Sequence, residues 1–149
     1  MVGAFFSIIV KFFCFFQDII DAFVGQTKQQ LYDTISAFPF THPVLRERMS
    51  QYRSIDDWKS KLPEDITSSG WVIDTLECAL WAFFRFDTWK DGALAVVNRG
   101  GDSDTAGAVY GGLAGAFYGL DSIPTKWLDG MQKRELIEEI AGGLAAGIV

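Results

Sequence analysis

The stretch from Asn98 to Gly119 constrains this chain more than any other. Gly107, Gly111, Gly115 and Gly119 recur every four positions, the first three within an apolar segment, Ala106 to Tyr118. That recurrence places them along one side of a helix. Each interior glycine costs a helix about 1 kcal/mol relative to alanine, so the row calls for a packing reason. The expected reason is another helix lying very close to the glycine face. A small-xxx-small membrane helix would use the same pattern. The aspartates at the start of the segment and its short apolar length weigh against that.

Those aspartates are the second constraint. In Asn98-Arg99-Gly100-Gly101-Asp102-Ser103-Asp104-Thr105, two carboxylates and a threonine hydroxyl fall within four positions. The Gly-Gly pair before them can take positive φ and let the backbone approach whatever the carboxylates hold. Carboxylate and hydroxyl oxygens are hard ligands that suit Mg²⁺, Mn²⁺ or Ca²⁺. On a turn leading into a helix, Asp102, Asp104 and Thr105 can converge on one small volume. Asp, Ser and Thr are also the preferred helix N-caps, and acids favour the positive end of a helix. By itself the motif reads either way, as a cap or as a cation site.

The run from Gly100 to Gly119 resembles the carboxy-terminal signature of the ADP-ribosylglycohydrolase family, which includes the dinitrogenase reductase-activating glycohydrolases. The resemblance extends back through Ser69-Gly70-Trp71-Val72-Ile73-Asp74-Thr75-Leu76-Glu77-Cys78-Ala79-Leu80-Trp81 and forward through Ile123-Pro124-Thr125-Lys126-Trp127-Leu128. Order and spacing match from about Phe38 to Trp127. Ser103 stands where the family more often has threonine, at a position not expected to be a ligand.

The resemblance implies cleavage of the glycosidic bond between ADP-ribose and a protein side chain or small molecule, at a pair of divalent ions, Mg²⁺ or Mn²⁺. It implies Asp102, Asp104 and Thr105 as ligands, with Asp104 bridging both ions. Ser69, Gly70 and Trp71 correspond to a segment beside the bound nucleotide and are carried over as substrate-binding residues. For Trp71, core packing is the competing reading. No catalytic residue is assigned. The family takes its other ligands and its catalytic acid from an amino-terminal Thr-Asp-Asp half. This chain has no such sequence: Ile55 precedes Asp56-Asp57, and the other acidic pairs are Glu64-Asp65 and Glu138-Glu139. The expectation is therefore a single partial domain over 1–149, the carboxy-terminal half of a glycohydrolase, inactive alone. A non-catalytic helical remnant and a membrane-associated helical protein are the alternatives.

The net charge of −6 and a pI near 4.6 argue against a nucleic-acid surface, which needs a basic patch. Cys14 and Cys78 both sit in apolar runs. They read as free buried thiols of a reducing compartment rather than a disulfide framework, which points to the cytoplasm. Neither lies at a suggestive spacing from His42, the single histidine.

Ala4 to Phe16 is nearly all apolar, interrupted by Lys11 and followed by Asp18 and Asp21. A spanning helix needs about 20 apolar residues, and this run is shorter. Ala4 to Val24 is expected to be a core helix lacking some of its neighbours, with Gly25 as its C-cap. It should leave an exposed apolar patch through which the chain associates. The competing reading is a membrane-surface anchor. Further helices are expected over Lys28–Ala37, capped by Thr27, then Val44–Tyr52 and Ser54–Leu62. Trp71–Phe84 follows, and then a helix capped by Asp87 or Thr88. The glycine helix closes at Gly119, with helices over Pro124–Leu128 and Lys133–Ile148 after it. His42, between Pro39 and Pro43, is expected on an exposed loop. Period-two alternation is absent, so the class is all-α.

Overall fold

Trp71 to Phe84 is apolar on nearly every side, and the helix it forms is surrounded. The structure, a computed structural model, describes residues 25–147. In it Val72–Arg85 is one helix, and twelve consecutive residues from Ile73 to Phe84 are buried. The expected first helix, with Cys14, lies outside the described residues.

Eight α-helices occur among the described residues, with no strand, as an all-α class requires. The first, α1 (Lys28–Ala37), starts in a capping box: Gln30 N–H donates to Thr27 Oγ1 at 3.3 Å, and Thr27 N–H donates to Gln30 Oε1 at 2.8 Å. Helix α2 (Pro43–Met49) begins on a proline, whose fixed φ and missing N–H suit a first turn. Helix α3 (Ile55–Ser60) is capped by Ser54, which accepts the Asp57 N–H at 3.2 Å. It ends before Leu62, which Pro63 forces into extended backbone (φ −73°, ψ 148°). The surrounded helix is α4 (Val72–Arg85). Thr88, not Asp87, caps α5 (Trp89–Val97). Helix α6 (Ser103–Tyr118) is the glycine helix, closed by Gly119 at φ +80°. Helices α7 (Thr125–Asp129) and α8 (Arg134–Ala145) complete the series.

Helix α4 packs against α3, α5 and α6, and α5 also packs against α6. Aromatic rings fill the space between them. Trp58 of α3 stacks on Tyr52 with centroids 3.4 Å apart and meets Phe84 of α4 at 5.7 Å. The Trp81 indole N–H is satisfied by the Lys61 carbonyl at 3.1 Å, so its burial leaves no orphan donor.

Among the described residues the glycine row meets no closely packed helix. Helix α6 buries Ala106, Tyr110, Leu113 and Ala114, with Phe117 packed against the same core. At about 100° per residue, Gly107, Gly111 and Gly115 are turned roughly a third of a turn away from that row. No described atom lies within 4 Å of a Cβ built on Gly111, Gly112 or Gly115, and Gly107 meets only Val97 at 3.6 Å. The close approach is made instead by Gly92 of α5, where a Cβ would run into the Tyr110 hydroxyl and ring. Tyr110 Oη donates there to the Trp89 carbonyl at 3.0 Å. One small residue lets a whole tyrosine cross the α5–α6 interface.

Helix α8 turns Leu136, Ile137 and Ile140 outward, each about half exposed. No described helix is long and apolar enough to cross a membrane.

Two outcomes follow from this packing. Gly92→Ala overpacks the Tyr110 crossing and should cost about 1–3 kcal/mol, whereas Gly111→Ala should gain up to about 1 kcal/mol from helix propensity. Thermal melts of the two variants check this, and a neutral Gly92→Ala would mean the helices stand further apart. Cys78 is fully buried, and burial pushes its thiol up to about 11 from 9.0. The unfolded thiol therefore ionises first, so the unfolded chain binds fewer protons above pH 9 and stability falls as pH rises towards 11. In a Cys14→Ser background, Cys78→Ala should flatten that alkaline slope in denaturant titrations.

Candidate metal and ligand site

Two loops meet at the start of α6. Gly100 and Gly101 take φ of +69° and +62°, the region open to glycine at little cost. This double left-handed turn delivers Asp102 to the head of the helix. It is held from the opposite side: Asp102 N–H donates to the Ser68 carbonyl at 3.1 Å. A Cβ at Gly101 would collide with that same carbonyl. Gly70, two residues on, is in contact as well, since a Cβ there would lie 3.4 Å from Asp102 Oδ2. The 68–71 turn and the 98–105 turn thus lie against each other, and Asp102 sits at the join.

Asp102 occupies the N-cap position but makes no side-chain capping bond. Its carboxylate instead accepts the Thr105 hydroxyl at 2.8 Å. Asp104 is fully exposed. Its carboxyl is held below the usual carboxylate range by a hydrogen bond with the Asp102 carboxyl, and then by the backbone N–H groups of residues 104 and 105. Two carboxylates this close repel each other, and a bound cation would offset that repulsion. Asp102, Asp104 and Thr105 are therefore gathered on one turn, and the simple capping reading fails for Asp102. Their oxygens suit a hard divalent ion. No group of three or more His, Cys, Asp or Glu side chains converges among the described residues, so this turn offers only part of a shell.

Of the three residues in the neighbouring turn, two face outward. Gly70 presents bare backbone beside Asp102. Trp71 is 41% exposed, which removes core packing as its role, and its ring lies 5.9 Å from the Arg48 guanidinium carbon. Ser69 is committed internally: its hydroxyl donates to Asp74 Oδ2 at 2.7 Å and accepts the Trp71 N–H at 3.1 Å.

Beneath this turn lies a network that the sequence reading passed over. Asp74 and Glu77 on α4 are 8% and 2% exposed. Arg48 of α2 donates to Asp74 Oδ1 at 3.1 Å and to Glu77 Oε2. Tyr52 Oη donates to Glu77 Oε1. Burial, and then the Glu77 carboxylate, push the Tyr52 hydroxyl far above its usual range. A signal existed in the sequence: two acids three apart in an otherwise apolar helix must find a cation if that helix is buried. Asp57 and His42 take no part in these contacts. Asp57 closes the start of α3 by accepting the Arg53 N–H at 2.7 Å. His42 precedes α2 half-buried rather than exposed, with no side-chain capping bond.

The family model for ADP-ribosylglycohydrolases matches residues 6–148. An ADP-ribosylarginine hydrolase of Serratia proteamaculans is 44% identical over 85 residues, 57% of this chain and 23% of that protein. An ADP-ribosyl-[dinitrogen reductase] glycohydrolase of Rhodospirillum rubrum is 42% identical over 81 residues, 52% of this chain and 28% of that protein. An ADP-ribosylhydrolase of Homo sapiens is 35% identical over 84 residues, 49% of this chain and 23% of that protein. The chain thus spans about a quarter of the length of these relatives.

The two glycines of the acidic turn separate conformation from contact. Gly100→Ala meets no described neighbour and should cost only the left-handed penalty, about 1–2 kcal/mol. Gly101→Ala adds the collision with the Ser68 carbonyl and should cost distinctly more. Equal melting temperatures for the two variants would mean that the turns do not lie against each other.

Proposed function

The chain belongs to the ADP-ribosylglycohydrolase family, and from that premise we propose that it contributes one side of a site hydrolysing the bond between ADP-ribose and a protein side chain. Asp102, Asp104 and Thr105 would hold Mg²⁺ or Mn²⁺, two ions in the complete site. The observation that carries this reading is the Asp102 carboxylate, which sits at a helix head without capping it and lies beside Thr105, Asp104 and Gly70. A bound divalent ion supplies charge stabilisation and orients sugar hydroxyls and water. The protein groups supply the rest. Asp102 and Asp104 would hold the ion, whose charge offsets the repulsion between their carboxylates. Gly70 lets a nucleotide approach without a side chain in the way. The exposed Trp71 ring offers a face to an aromatic base.

In the reaction the bond from the anomeric carbon to the side-chain atom breaks, water supplies the new hydroxyl, and the leaving group takes a proton. No residue is assigned as that proton's donor. The name of the Serratia relative favours arginine-linked ADP-ribose as substrate, and that of the Rhodospirillum relative an ADP-ribosylated protein. Mg²⁺ prefers near-octahedral coordination, and three side chains on one turn leave most of a shell open. The 149 residues alone should therefore bind an ion weakly and show no turnover. A metal-binding helical unit without catalysis is the second reading, favoured by that same incomplete shell.

Calorimetry with Mn²⁺ should show weak binding that Asp104→Ala removes. Identical heats for both proteins would sink the ligand assignment. Incubation with ADP-ribosylated arginine peptides should release no ADP-ribose. Turnover that disappears in Asp104→Ala would show that this chain builds a working site unaided.

A further inference from the structure

We propose that Arg48 is a positioning residue of this site, setting the 68–71 turn and, through it, the placement of Asp102. The proposal rests on the cation reading above.

All four carboxylate oxygens of the buried pair are occupied. Asp74 Oδ1 and Glu77 Oε2 take Arg48, Asp74 Oδ2 takes the Ser69 hydroxyl, and Glu77 Oε1 takes Tyr52. From Ser69 the line continues outward. Its hydroxyl fixes the Trp71 amide, and its carbonyl accepts the Thr75 hydroxyl at 3.2 Å. The adjacent Ser68 carbonyl then receives the Asp102 amide. Polar contacts thus lead from the guanidinium of α2, through α4, to the residue at the head of α6. Arg48 also reaches the exposed side of the turn, with its guanidinium facing the Trp71 ring.

Stability alone is a poor reason for this arrangement. A buried ion cluster is often no more stabilising than apolar residues of the same volume, and its best-attested use is to fix one geometry. Here the fixed geometry is that of the turn abutting Asp102. Groups bonded directly to a cation's ligands typically change its affinity 10- to 100-fold when altered, and Arg48 and Ser69, which act one step further out through the Ser68 carbonyl, should change it by less.

The test uses the full 149-residue chain with Mn²⁺ as probe. Ser69→Ala removes a single hydroxyl from the turn, and Arg48→Lys keeps the charge while losing the fork that spans both acids. Lys28→Met is the control, since it breaks the ion pair with Asp87 and leaves the turn untouched. Both test variants should bind Mn²⁺ several-fold more weakly, up to about 10-fold, and shift the Trp71 emission, taken as the difference from Trp71→Phe. Lys28→Met should do neither at a comparable loss of melting temperature. Wild-type affinity and unchanged emission in folded Ser69→Ala and Arg48→Lys would overturn the proposal. If the wild type gives no Mn²⁺ heat, the cation reading falls separately. The Asp102 amide then decides: faster hydrogen exchange in both variants supports Arg48 as the positioner, and unchanged exchange overturns it.

Discussion

The burial of α4 is the constraint on which the rest of this structure depends. A helix covered on all sides cannot choose one face for packing, so its neighbours must divide its circumference among them. Helices α3, α5 and α6 do so, and their own amphipathic faces are oriented by it. Large rings fill the gaps because short helices meeting at irregular angles leave irregular spaces, and each polar ring atom then needs a partner. Trp81 finds the Lys61 carbonyl and Tyr110 the Trp89 carbonyl. The end of α3 and the start of α5 are thereby pinned from the core.

Enclosing α4 also traps Asp74 and Glu77, and their charge must be met inside the protein. The nearest source is Arg48, on a helix of seven residues that has few other reasons to hold its place. The energetic necessity of pairing a buried carboxylate becomes a geometric instruction to α2, to Tyr52 and to the 68–71 turn. The candidate site lies just outside that instruction. Asp104 is exposed and Asp102 half-buried on a surface turn, yet the backbone carrying them is tied through the Ser68 carbonyl to the turn above the buried network.

The glycines illustrate that recurrence along a helix does not by itself say which atoms meet it. Recurrence at 107, 111 and 115 does define one side of α6, but the row buried by the described core is the neighbouring one through Ala106, Tyr110 and Leu113. Among the described glycines, Gly92 and Gly101, which the periodicity does not mark, are the two where a side chain would collide with another part of the chain. What makes a glycine necessary is an atom brought from elsewhere in the chain, the Tyr110 hydroxyl in one case and the Ser68 carbonyl in the other.

The sequence by itself determined the helical class, most helix starts, the family and the gathering of Asp102, Asp104 and Thr105 on one turn. These rest on local causes: period, capping chemistry at Thr27, Ser54 and Thr88, proline stops, and residues a few positions apart. Only the tertiary structure decided that Asp102 leaves its capping role, that Trp71 faces outward, that Ser69 turns inward, and that Arg48 answers Asp74 and Glu77. Each of these depends on contacts between residues about 25 to 35 positions apart or on which side of a helix is covered. Burial then changes the energy of a charge or a ring far more than its local sequence does.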